Sequence, residues 1–172
     1  IPILLITPLF GTLIVGYYSM AQRFLKLPIT LISDSIRQVF YKHGADLLNK
    51  DQDILPLYKK TTLSLFSIST PCVIISWFIL PDLFGFLLGE HWIIAGEYSQ
   101  VIIFWLYLAF INPPSVASIQ LLGLQDKFFY YELLLLLARV CSILIGYKYY
   151  GDVLISLKLF TLVSVLFNIL LI

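Results

Sequence analysis

The feature that most constrains this chain is the recurrence of uninterrupted apolar runs about as long as a bilayer is thick. They fall at approximately 61–81, 99–122, 128–147 and 153–172, preceded by a long run over 12–41 and a short one over 1–10. A hydrocarbon core about 30 Å thick takes roughly 20 apolar residues per helix. Apolar residues make up 60% of the sequence and charged residues 12%, with a mean hydropathy of +0.94. Soluble domains carry about twice that share of charge. An outer-membrane barrel would alternate apolar and polar residues in segments of about ten, and these runs are continuous. The expected fold is therefore an all-α, polytopic transmembrane helix bundle of five spans plus a partial one, 1–10.

Residues 1–172 read as a single transmembrane domain, because proline and glycine punctuate the ends of the runs rather than a linker. The chain opens on Ile1 and closes on "LFNILLI", both within apolar segments, so it is expected to be a piece of a longer protein. No basic start followed by a small-residue cleavage site marks a signal peptide at its beginning.

A net charge of +1 carries no nucleic-acid signature, so the placement of charge matters more than its sum. Lys42, Lys50, Lys59 and Lys60 fall in the polar stretch 42–60, read as a loop with some helix in it, whereas the stretch from Pro81 to Tyr98 has no Lys or Arg. Short cytoplasmic loops collect lysine and arginine. The first loop is thus expected to be cytoplasmic and the second external; Lys127 and Lys148 leave the last two undecided. Cys72 and Cys141 lie deep in apolar runs and are expected to be buried free thiols. His43 and His91 sit in different loops, and no phosphate-cradling loop, HExxH or nucleophile elbow occurs. The reading is a non-enzymatic protein with no metal or cofactor.

The second run carries the most informative polar residues. Ser19, Arg23, Lys26, Thr30, Ser33 and Arg37 recur at steps of 4, 3, 4, 3 and 4, which puts all six on one helical face. The stripe rises about 27 Å at 1.5 Å per residue. A charge at the bilayer centre costs at least about 2.5–3.5 kcal/mol, so such residues face a bundle interior or an aqueous cavity. The stripe then reads as a cavity wall. The alternative is that Arg23 and Lys26 snorkel to an interface, or that the helix lies along the membrane surface.

Other runs repeat the theme. Arg139 lies mid-run, with Glu132 about 10 Å away along the axis, too far to pair, so it needs a partner on another helix. Lys158, Thr161, Ser164 and Asn168 share a face of the last run. Asn112 stands in "INPPSVAS", and Pro71 in "STPC". Prolines there bend helices either at moving segments or in static bundles.

The stretches "VGYYSMAQR", the "LP" after it, "QVFY", and "LFGFLLGEHW" ahead of "AG" together resemble the second half of a bacterial polysaccharide flippase of the O-antigen and capsule type. That family lies in the multidrug/oligosaccharidyl-lipid/polysaccharide exporter superfamily. The resemblance is closest over residues 1–105 and beyond them is one of span number and spacing. It implies a fold of about twelve helices or more in two lobes, of which this chain would be the second. It further implies a bacterial inner-membrane protein that moves undecaprenyl-pyrophosphate-linked oligosaccharide to the periplasmic leaflet by alternating access. Its partners would be that substrate, membrane lipids and other polysaccharide-assembly membrane proteins, without nucleic acid.

For such a cargo, the stripe residues and Arg139 are the candidate anion and sugar contacts, with Lys158, Asn112 and Gln22 as further candidates. Tyr17 and Tyr18 lie near enough to contribute, though no motif of the family assigns them that role. A related exporter carrying drugs or another lipid precursor, a membrane glycosyltransferase or polymerase, and a non-transporting scaffold are the alternatives.

Overall fold

The computed structural model describes residues 2–172, and the regular structure in them is helical throughout. The helices are α1 (Pro2–Phe10), α2 (Thr12–Leu48), α3 (Leu55–Leu88), α4 (Ile93–Ile111), α5 (Pro113–Leu121), α6 (Gln125–Tyr150) and α7 (Val153–Leu171); a single 3₁₀ turn, Glu90–Trp92, joins α3 to α4. Four stretches are long and apolar enough to cross a membrane: Leu55–Leu88, Glu90–Leu121, Gln125–Tyr150 and Val153–Leu171. The second expected span, α2, is long enough at 37 residues, but its polar stripe keeps it out of that set.

The helices outrun their apolar cores. The polar stretch 42–60 is mostly the ends of α2 and α3, and only residues 49–54 turn. There Asp51 adopts a left-handed conformation (φ 54°) and the Asp53 carboxylate accepts from the Leu55 N–H at 2.9 Å. The expected external loop shrinks likewise, to Gly89 (φ 98°) and the 3₁₀ turn. Such a φ favours glycine, which bears no Cβ to clash.

Proline sets the internal breaks. Pro113 and Pro114 have no N–H, so the run over 99–122 splits at Asn112 and restarts with proline at the first helical positions, where an N–H has no intrahelical partner anyway. Pro81, by contrast, sits inside α3. It leaves the Trp77 carbonyl, four residues earlier, without its backbone donor, and the Gln100 side-chain amide of α4 fills the vacancy at 2.7 Å.

α4 is the hub, packing against α2, α3 and α7. Tyr18 and Ala21 of α2, Leu80 and Phe84 of α3, Ala95, Tyr98, Ile102 and Leu106 of α4, and Val153 and Leu157 of α7 form one core with Ile6. Between helices in lipid the hydrophobic effect is weak and close backbone approach does the holding. Two glycines supply it. A Cβ on Gly96 would lie 2.5 Å from Pro81 Cα, and one on Gly146 2.6 Å from Ser156 Cα.

The outward faces of α3 and α6 are apolar and exposed, as at Phe78, Phe86, Leu134 and Leu137. Cys72 and Cys141 lie on those faces, so the expectation of buried thiols is corrected. An apolar run in this chain signals contact with lipid as much as with other helices.

Candidate functional site

The α2 stripe lies beside the packed face of its helix. Tyr18, Ala21, Phe40 and Gly44 are the buried residues of α2, and Leu25 and Ile29 pack against the core with them. About a quarter-turn away, Arg23 and Lys26 are exposed while Ser19, Thr30, Ser33 and Arg37 are half-buried. Neither Arg23 nor Lys26 has a side-chain partner among the described residues. The lone ion pair found there is Arg37 with Asp34, at 3.2 Å one turn back on the same helix. The Thr30 hydroxyl donates to the Leu27 carbonyl at 3.0 Å, and the Ser33 hydroxyl is buried without a partner. Gln22 is half-buried beside the stripe.

At the far end of the stripe a polar pocket of about 570 Å³ opens, lined by Arg37, Gln38 and Tyr41 of α2, Gln120 of α5 and Gln125 of α6. Amides, a phenol and a guanidinium offer donors and acceptors of the kind that meet hydroxyl-rich or anionic groups.

Arg139 belongs to a different environment. Its Nε donates to Ser164 Oγ of α7 at 2.9 Å, and its guanidinium carbon stands 5.5 Å from the Trp105 ring and 5.4 Å from the Phe160 ring. Ser164 Oγ donates in turn to the Phe160 carbonyl at 2.8 Å. One turn further along, Asn168 Nδ2 donates to the Ser164 carbonyl at 2.6 Å, and Asn168 Oδ1 accepts from Asn112 Nδ2. A buried polar line thus runs from Arg139 on α6, along α7, to the α4–α5 break. Tyr131 and Phe167 extend it, the tyrosine hydroxyl donating to the Phe167 carbonyl.

The structure therefore divides the sequence candidates in three. Ser19, Gln22, Arg23, Lys26, Thr30, Ser33 and Arg37 share one helix and a flank that the other helices leave partly open, most of all at Arg23 and Lys26. Arg139 and Asn112 join Ser164 and Asn168 inside the bundle. Lys158 is exposed on α7, in a groove of its own. The periodicity of α7 already grouped Thr161, Ser164 and Asn168, but a linear spacing does not reveal that Arg139 is what they meet. Gln100 follows no periodic pattern; the sequence signal for it is Pro81, which leaves a carbonyl in need of a donor.

A long amphipathic helix with a partly open cationic flank, held by a hub of apolar membrane-length helices, defines a multi-pass α-helical membrane protein. A model of the family described as polysaccharide biosynthesis protein matches residues 1–97, from α1 to the first turns of α4, and the chain belongs to that family. No curated protein and no solved structure matches it.

Proposed function

We propose that the chain is one lobe of a transporter that moves undecaprenyl-pyrophosphate-linked oligosaccharide from the cytoplasmic to the periplasmic leaflet of a bacterial inner membrane. The observation that carries this reading is the cationic flank of α2, whose Arg23 and Lys26 no side chain among the described residues neutralises. An uncompensated charge in a membrane is costly, and a diphosphate passing along the stripe would offset that cost with charge-assisted hydrogen bonds. In this reading the flank lines the cleft between two lobes, Arg23 grips the diphosphate with its planar donors, and Lys26 adds a less directional charge. Ser19, Thr30 and the pocket at Arg37 and Gln120 meet sugar hydroxyls. The Asn112–Pro114 break and Pro28 supply places where helices bend during alternating access. Membership of a polysaccharide biosynthesis family agrees with such a cargo.

The test is to reconstitute the full-length protein in proteoliposomes and follow a fluorescent lipid-linked oligosaccharide between leaflets. Translocation of intact substrate supports the reading. Chemical extension or cleavage of the glycan without translocation supports a membrane transferase or polymerase instead.

A further inference from the structure

A groove of about 460 Å³ lies away from the α2 stripe, between α3, α4 and α7. Its walls carry one carboxylate, Glu97, and one ammonium, Lys158, together with Gln100, Thr161 and the rings of Trp77 and Phe104. The two charges are not ion-paired with each other. Glu97 is four residues into α4 and Lys158 five into α7. The groove brings Glu97 and Gln100 of α4 together with Leu154 and Lys158 of α7, so both helices start at the same end of the bundle. The charges therefore sit about 6–8 Å in from that end, where a long side chain can still reach a headgroup, with the aromatic wall leading deeper.

Thr161 supplies an independent sign of a missing ligand. On the same helix the hydroxyls of Ser156 and Ser164 donate back to the Asp152 and Phe160 carbonyls at 2.8 Å. Thr161 Oγ1 is buried and has no partner, although the residue is only 6% exposed and lines the groove. Burying a hydroxyl unpaired is unfavourable.

We propose that this groove binds the headgroup of a zwitterionic phospholipid bearing a primary ammonium, such as phosphatidylethanolamine. The ammonium donates to the Glu97 carboxylate, the phosphate accepts from Lys158, and the Thr161 hydroxyl, turned into the groove by a change of rotamer, donates to a phosphate or ester oxygen. The acyl chains run along Trp77 and Phe104, whose ring centroids are 6.5 Å apart. An anionic headgroup without an ammonium would meet Glu97 repulsively. A quaternary ammonium has no N–H to offer it. The site acts separately from the cargo path, as a lipid seat that ties α3, α4 and α7 together.

The experiment is native mass spectrometry of the full-length protein equilibrated with phosphatidylethanolamine, phosphatidylcholine or phosphatidylglycerol. The expected result is retention of phosphatidylethanolamine over phosphatidylcholine by about tenfold, the equivalent of one charged hydrogen bond. That preference disappears in Glu97→Gln, a substitution at an exposed position that leaves the bundle folded, and retention of all three lipids falls in Lys158→Met. Thr161→Val weakens binding and Thr161→Ser restores it. Equal retention of the three lipids, a preference for phosphatidylglycerol, or an unchanged pattern in Glu97→Gln overturns the proposal.

Discussion

Arg139 of α6 donates from Nε to Ser164 Oγ of α7 at 2.9 Å, and this bond joins a helix whose outward face is largely exposed to the interior of the bundle. Ser164 is fully buried, and two aromatic rings flank the guanidinium. Arg139 is thus held as a structural cation, whereas Arg23 is presented as an uncommitted one. The two arginines should respond differently to mutation.

Arg139→Ala is expected to lower stability by about 2–3 kcal/mol, since it removes a charged hydrogen bond and two cation–π contacts and leaves Ser164 short of a donor. Arg23→Ala is expected to leave the unfolding midpoint where it is. Thermal unfolding in detergent, followed by light scattering and tryptophan fluorescence, checks both. Equal destabilisation by the two would show that Arg23 is also packed.

The close approaches predict a ranking of glycine substitutions. Gly96→Ala and Gly146→Ala push a methyl into backbone, at 2.5 Å from Pro81 Cα and 2.6 Å from Ser156 Cα, and each is expected to cost about 1–3 kcal/mol. In Gly85→Ala the methyl meets the Ile93 side chain at 3.0 Å, which can yield, so its cost should be smaller. Unfolding midpoints of the three variants, compared at matched detergent, give the order.

Gln100 and Pro81 form a coupled pair. Gln100→Leu strips the Trp77 carbonyl of its donor and is expected to cost about 1–2 kcal/mol. In a Pro81→Ala background the restored backbone N–H serves that carbonyl, and Gln100→Leu becomes nearly neutral. A double-mutant cycle measures the difference; additive effects would refute the coupling.

The lysine distribution predicts orientation. With Cys72→Ser and Cys141→Ser removing the native thiols, Glu90→Cys in the hairpin should react with a membrane-impermeant maleimide in intact cells. Asn49→Cys, in the lysine-flanked turn, should react only after permeabilisation. The reverse pattern would invert the bundle.

Much of this was legible in the sequence because membrane helices need continuous apolar runs, and steps of 3 and 4 placed Ser19 to Arg37 on one face without any structure. The cysteines were misplaced for the same reason the helices were found: lipid and protein interior are equally apolar, so Cys72 looks alike in either. The helix expected within 42–60 takes up most of it, because the ends of α2 and α3 stay helical outside the apolar core and carry Lys42 and Lys59. The contacts between Arg139 and Ser164 and between Gln100 and Trp77 bridge 25 and 23 residues, and no local pattern encodes which helices become neighbours.

The most direct test of the central claim, that the α2 stripe carries the cargo, is the rate of lipid-linked oligosaccharide translocation in proteoliposomes for wild type, Arg23→Ala and Arg23→Lys at equal protein content. Loss of translocation in Arg23→Ala, with partial retention in Arg23→Lys and an unchanged unfolding midpoint in both, is the predicted result. Wild-type translocation by a folded Arg23→Ala would contradict it and assign Arg23 to the membrane interface.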